Sequence, residues 1–233
     1  MKSENFWYRS AGEGWSPTLY DWFFHRTKRG LALRNGEEDV VYRLLEGGLR
    51  PDSRIVEYGP GTGHYTLPLA RRCASVVAVE PSAEMREHLG ERLAREGIDN
   101  VEIRDGLIEG GPGSPDRFDG ALAVGPLYYV RDLLPALSAV GAGLKPGGWG
   151  VFTVPLRSLE GTWQLVSELL ARRHAFLRSP AEATLTAERA GLEVLGTGLT
   201  GTSRGGLSLV LKTVMPSEPL SSQARDARPQ VTS

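Results

Sequence analysis

Three acidic residues, Glu57, Glu80 and Asp105, each close a short apolar run, and the first leads into the glycine turn Gly59-Pro60-Gly61-Thr62-Gly63. A glycine turn after a strand lets a ligand lie against backbone that carries no side chain. Backbone N–H groups and the next helix N-terminus open into the crevice there. A carboxylate closing the following strand, as Glu80 does, suits the two hydroxyls of a ribose. Asp105, followed by Gly106, could accept the exocyclic amine of an adenine, and an Asp-Gly pair equally starts a turn. Glu57 either bonds loop amides or sets negative charge beside a cationic ligand group; a pyrophosphate would be repelled. These residues point to a nucleoside-type cofactor.

The elements that must position them alternate. Apolar runs at 54–58, 75–80, 101–105, 118–124 and 149–154 read as strands. Helical periodicity appears near 63–73, at 82–95 with Ser82 as cap, and within 127–143. Strand–helix alternation predicts a mostly parallel sheet with helices on both faces. Residues 144–148, LKPGG, read as a turn. Helical stretches follow at 160–177 and 180–190. Two strands, 192–200 and 206–213, are then joined only by GTSRG. That is too short for a parallel crossover, so the last strand runs antiparallel to its predecessor. Upstream, residues 18–32 and 36–47 read as two helices, with Trp22 and Phe23 mostly in the core.

The whole chain has 233 residues, 40% apolar and 24% charged, with a formal net charge of -1. One sizeable core is expected. The charge gives no reason to expect nucleic acid as a partner, and no apolar stretch is long enough to span a membrane. Cys73 stands alone and reads as a buried thiol; together with the lack of an apolar leader it fits the cytoplasm. A homodimer is compatible with the sequence.

In their order along the chain, EYGPGTG (57–63), VVAVEPS (76–82), IRDG (103–106), FDGALAVGPLYYV (118–130) and LKPGG (144–148) resemble the class I S-adenosylmethionine-dependent methyltransferases of small-molecule type. The resemblance covers about residues 40–213. It implies an α/β, Rossmann-like seven-stranded sheet of order 3-2-1-4-5-7-6, strand 7 antiparallel, under an N-terminal helical cap. The organisation expected is a cap or lid over 1–35, a cofactor-binding domain over 36–214 and a disordered tail over 215–233. The resemblance also implies S-adenosyl-L-methionine as cofactor. Glu57 and the loop Gly59, Pro60, Gly61 and Gly63 would face its aminoacyl part. Glu80 would hold the ribose, Pro81 or Ser82 would line the adenine, and Asp105 with Gly106 would meet its amine. Val124, at the end of the fourth strand, would close the same edge.

The acceptor is expected to be a small, planar or apolar molecule, with O-, N- and C-methylation open. His64, directly after the glycine loop, is the first candidate base or substrate contact. His25 in the cap helix is the second, and Tyr128 could stack on or close over the ligands. His88 reads as a solvated surface residue, and His174 as exposed beside Arg172 and Arg173. The aromatic first seventeen residues suggest a lid. Two other chemistries share much of this pattern: a repurposed methyltransferase fold performing decarboxylation or cyclisation, and an NAD-dependent oxidoreductase.

Overall fold

A computed structural model describes residues 16–112, 117–170, 174–201 and 206–217. The expectations of a lid over the first residues and of a disordered tail fall mainly outside these residues. Helices α1 (Pro17–Arg26) and α2 (Lys28–Leu45) precede β1 (Arg54–Tyr58), α3 (Thr66–Ala70), β2 (Ser75–Val79), α4 (Ala83–Arg95), β3 (Val101–Arg104) and β4 (Phe118–Ala123). Then come α5 (Leu133–Gly143), β5 (Leu144–Pro155), α6 (Leu159–Leu170), α7 (Pro180–Arg189), β6 (Glu193–Leu199) and β7 (Ser208–Val214).

The seven strands form one sheet in the order β3-β2-β1-β4-β5-β7-β6. β1 pairs in parallel with β2 and β4, while β7 runs antiparallel to both β5 and β6. The short β6–β7 connection allows nothing else. The central strands are apolar along their length because helices bury both faces. Val56 and Tyr58 point into a core with Val77, Val79, Leu137 and Ala187, under α5 and α7. Ile55 packs on the other face with Val40, Val41, Tyr65, Leu69 and Val210, under α2 and α3. Alternation along β1 therefore sends Glu57 to the face of α2 and α3.

Three local readings differ from the sequence. The first helices break at Thr27, not near residue 33. Thr27 is extended, at φ −94° and ψ 142°, and its side chain accepts from the Gly30 amide at 2.9 Å. Asn35 and Gly36 lie inside α2, where a Cβ on Gly36 would meet nothing within 4 Å and burial of Val40, Val41 and Leu45 carries the helix through. Trp22 is 56% exposed rather than core. LKPGG belongs to β5: the Gly147 amide donates to Met215 O and the Met215 amide to Gly148 O, both at 2.7 Å, so main-chain pairing with the segment after β7 overrides the turn-forming residues.

In addition, of the helix expected over 160–177, residues up to Leu170 lie in α6 and 174–177 is not helical. Asp119 ties the sheet together, accepting from the Arg54 amide and from Lys145 Nζ, each at 2.8 Å. Cys73 is buried, and burial pushes its thiol up to about 11.

Candidate functional site

The loop after β1 is built by glycines with different duties. Gly59, Gly61 and Gly63 have φ of +65°, +56° and +86°, a region costly for other residues. A Cβ on Gly59 would lie 2.8 Å from Pro126 Cβ, and one on Gly63 would collide with Leu89. These two positions serve packing. A Cβ on Gly61 would meet nothing within 4 Å, so Gly61 lines an open cradle. The Gly59 amide donates to Val79 O, and the Gly63 amide to the carbonyl of the buried Pro60, both at 2.9 Å. The turn is thereby held against the end of β2.

Glu80 follows β2 and is 5% exposed. Its Oε2 accepts from the Gly61 amide at 3.1 Å and its Oε1 from the Ser82 amide at 2.9 Å. Burial raises its carboxyl pKa, and the two amides oppose that shift. Ser82 caps α4 by accepting from the Met85 amide at 3.3 Å, and Pro81 lies half-buried between the two. Arg86 links the next strand: its Nη1 donates to Glu80 O at 2.7 Å and to Asp105 Oδ1 at 3.1 Å. The Asp105 side chain is half exposed. Gly106 lets the chain pass Val79, whose Cγ1 would be 3.0 Å from an added Cβ. Gly61, Glu80, Ser82 and Asp105 are thus joined by one hydrogen-bonded network through Arg86.

Glu57 is 3% exposed and takes no loop amide. Its Oε2 accepts from Thr66 Oγ1 at 2.6 Å. Burial pushes its carboxyl up to about 7, and the charge of Glu80 adds to the rise. A buried acid of this kind gains by meeting a cation. Carboxylate oxygens have further lone pairs beyond those given to one amide each, so Glu80 can still accept from a diol. An open Gly61 face, flanked by two buried carboxylates, fits a ligand with a hydroxylated ring and a cationic end.

The structure gives His64 an acid. Its Nε2 is paired with Glu38 Oε1 on α2, and its ring sits edge-on to Tyr65 at 4.9 Å. Tyr65 OH donates to Glu37 Oε1 at 3.2 Å, and burial pushes Glu37 up to about 7. Tyr128 is held at both ends. Its hydroxyl bonds Ser208 Oγ on β7, and its carbonyl accepts from the Phe176 amide at 2.9 Å. Val124 is half-buried against the Ile55 core, and the Gly125 amide donates to Thr153 Oγ1 at 2.8 Å. The His25 side chain lies outside the described residues. His174 is exposed.

His88 is not a solvated residue. Its Nε2 lies 3.3 Å from Asp21 Oδ2, and both side chains are about three-quarters covered, at 27% and 28% exposed. Asp21 Oδ1 also accepts from Thr62 Oγ1 at 2.7 Å. The cap helix α1 is therefore fastened to the glycine loop. Sequence reasoning missed Asp21, Glu37 and Glu38; the only signal was the acidic pair Glu37-Glu38 opening an otherwise apolar helical stripe. Among the described residues no group of three or more His, Cys, Asp and Glu side chains is placed to hold a metal ion.

Comparison with known proteins adds to this geometry. Residues 23–196 match the family model of a methyltransferase domain. Protein-L-isoaspartate O-methyltransferase of Myxococcus xanthus is 37% identical over 120 residues, 51% of this chain and 52% of that protein. Ubiquinone biosynthesis O-methyltransferase of Methylocella silvestris is 33% identical over 106 residues, 46% of this chain and 39% of that protein. The chain thus spans about half the length of the curated relatives it matches. Among solved structures, magnesium protoporphyrin IX methyltransferase of Synechocystis PCC 6803 with bound SAH has a TM-score of 0.70 at 16% identity, covering 91% of this chain and 97% of that one. A SAM-dependent methyltransferase of Thermotoga maritima, described as a possible histamine N-methyltransferase, has a TM-score of 0.67 at 25% identity, covering 89% and 99%.

Proposed function

The chain belongs to the class I S-adenosylmethionine-dependent methyltransferases, and from that premise we propose that it methylates a small, planar or apolar acceptor. The observation that carries the cofactor half of this reading is the fit of Glu80 and Gly61 around an open cradle. When bound, S-adenosylmethionine supplies a methyl group already activated on a sulfonium. In this reading Glu80 accepts from the ribose hydroxyls while its two amide bonds keep it in place. Glu57 faces the cationic aminoacyl end. Pro81 and Ser82 line the adenine, and Asp105, fixed by Arg86, accepts from its amine.

Alignment of acceptor and donor then supplies much of the rate, because the leaving group needs no further activation. An acceptor that must lose a proton meets His64. Glu38 orients that imidazole. Tyr128, tied to Ser208 and Phe176, forms a fixed wall rather than a mobile gate.

Three observations support a small acceptor: the near-neutral charge, the cap helix fastened over the loop, and the names of two similar proteins, which act in ubiquinone biosynthesis and on magnesium protoporphyrin IX. The lone Cys73 supports a cytoplasmic enzyme, and the near-neutral charge one acting without nucleic acid. No helix of the described residues is long and apolar enough to cross a membrane. Release of S-adenosylhomocysteine, screened over phenols, amines and activated carbons, tests the reading. An isoaspartyl peptide and a transfer RNA serve as contrasts. Turnover with either contrast and none of the small molecules would reject it.

A further inference from the structure

An open cavity of about 540 Å³ lies between α6, α7 and the loop that follows β4. Its lining includes Arg131, Arg157, Arg178, Leu165, Phe176 and Glu182. Arg178 is 9% exposed. Its guanidinium donates to three backbone carbonyls, those of Phe176, Val130 and, at 2.8 Å, Arg131. Among the described residues no carboxylate lies within 4 Å of Arg178 or of Arg131. Arg157 alone has one, Glu182 Oε2 at 3.4 Å. That carboxylate is shared, because Oε2 also accepts from the Ser179 amide at 2.6 Å. The lining thus carries three guanidinium groups against one acid.

Glu182 and Asp132 act on the buried Arg178 from a distance without pairing directly with it, and such carboxylates and carbonyl dipoles offset only part of the cost of burying a cation. Burial holds Arg178 down at about 10, still charged at neutral pH. An anion entering the cavity would complete its electrostatics. Planar guanidinium forks match the oxygens of a carboxylate or a phosphate. The rest of the lining suits an apolar body. The Phe176 ring lies 5.9 Å from the Arg131 guanidinium and 5.7 Å from that of Arg178, with Leu165 beside it.

A chain of contacts links the cavity to the glycine loop. Pro126 packs on Gly59, and two residues later the Tyr128 carbonyl accepts from the Phe176 amide. We propose that this cavity holds the anionic end, carboxylate or phosphate, of the methyl acceptor, with the acceptor's apolar body against Phe176 and Leu165. The proposal rests on the methyltransferase reading of the cradle.

Benzoate, phenyl phosphate and neutral benzyl alcohol, titrated calorimetrically into the full chain, test it. Arg131→Ala and Arg157→Ala, both at exposed positions, provide the variants, and S-adenosylmethionine is titrated into each protein in parallel. At least one anion is expected to bind the wild type, and the tighter of the two identifies the head group. Benzyl alcohol is expected to bind at least tenfold more weakly. Each variant should weaken the anion by about tenfold, the value of one charge-assisted hydrogen bond, and leave S-adenosylmethionine affinity unchanged. Absence of binding by both anions, or equal binding by wild type and both variants, would overturn the cavity assignment. Arginine-dependent anion binding by a wild type that does not bind S-adenosylmethionine would overturn the methyltransferase reading instead, and with it the acceptor role.

Discussion

The carboxylate of Glu80 accepts a hydrogen bond from the backbone amide of Gly61, at 3.1 Å across nineteen positions of sequence. This bond ties the end of β2 to the turn after β1, and it sets the only loop glycine with open space at its Cβ beside a buried acid.

Gly61 and Gly63 should therefore respond differently to alanine. Gly61→Ala adds a methyl group to empty space and should cost only the left-handed backbone penalty, about 1–2 kcal/mol of stability. Its methyl group would stand in the cradle, so S-adenosylmethionine affinity should fall by at least about tenfold, near 1.4 kcal/mol. Gly63→Ala meets Leu89 as well as the backbone penalty and should cost a further ~1–3 kcal/mol. Urea denaturation and calorimetric titration separate the two effects. Unchanged cofactor affinity in Gly61→Ala would remove the cradle from the account.

Glu57 should make cofactor binding depend on pH. Its folded pKa is raised from 4.5 to about 7. A raised acid favours the folded state fully below its unfolded pKa, and that contribution is lost as pH rises toward 7. A cationic ligand needs the carboxylate. Affinity for S-adenosylmethionine should accordingly rise with pH up to about 7, by at most about tenfold per unit, and level off above it. Glu37 titrates in the same range, so the diagnostic comparison is Glu57→Gln, which should flatten the profile. An unaltered profile in that variant would assign the dependence elsewhere.

The parts legible in the sequence are those written locally. Val56 and Tyr58 alternate with Ile55 and Glu57, Ser82 precedes an amphipathic helix, and five residues between two apolar runs force an antiparallel pair. Strand-end positions of Glu57, Glu80 and Asp105 follow from the same pattern. Their partners do not. Glu57 meets Thr66 rather than loop amides, and Glu80 takes the Gly61 amide instead. Asp21 reaches Thr62 across forty-one positions, and Glu38 reaches His64 across twenty-six. Such pairs arise from how helices pack on the sheet, which no local window encodes. The break expected between helices at 18–32 and 36–47 and the turn expected at 144–148 misled for a related reason: tertiary burial and sheet pairing outweighed local preference.

The pair formed by His64 and Glu38 should matter for turnover and not for the cofactor. With any acceptor that loses a proton, His64→Ala should lower kcat by roughly 10²–10⁴-fold, the usual value of a general base. Glu38→Gln should lower kcat less, because the imidazole remains. Affinity for S-adenosylmethionine should stay within twofold of the wild type in both. Unchanged kcat in His64→Ala would leave this histidine a packing role against Tyr65.

Asp21 should couple the cap to the loop. Asp21→Ala removes the acceptor of Thr62 and the partner of His88, at an expected cost of about 0.5–1.5 kcal/mol. Hydrogen exchange should quicken in α1 and in residues 61–65 together. Faster exchange in α1 alone would show that the cap and the loop move independently.

The most direct measurement is calorimetric titration of S-adenosylmethionine into the wild type and Glu80→Ala, with NAD as the competing nucleoside ligand. Glu80 is expected to make charge-assisted hydrogen bonds to the ribose, so its loss should weaken S-adenosylmethionine by about 1–3 kcal/mol, and NAD should not bind the wild type. Equal affinity in wild type and Glu80→Ala, or binding of NAD and not of S-adenosylmethionine, would contradict the account.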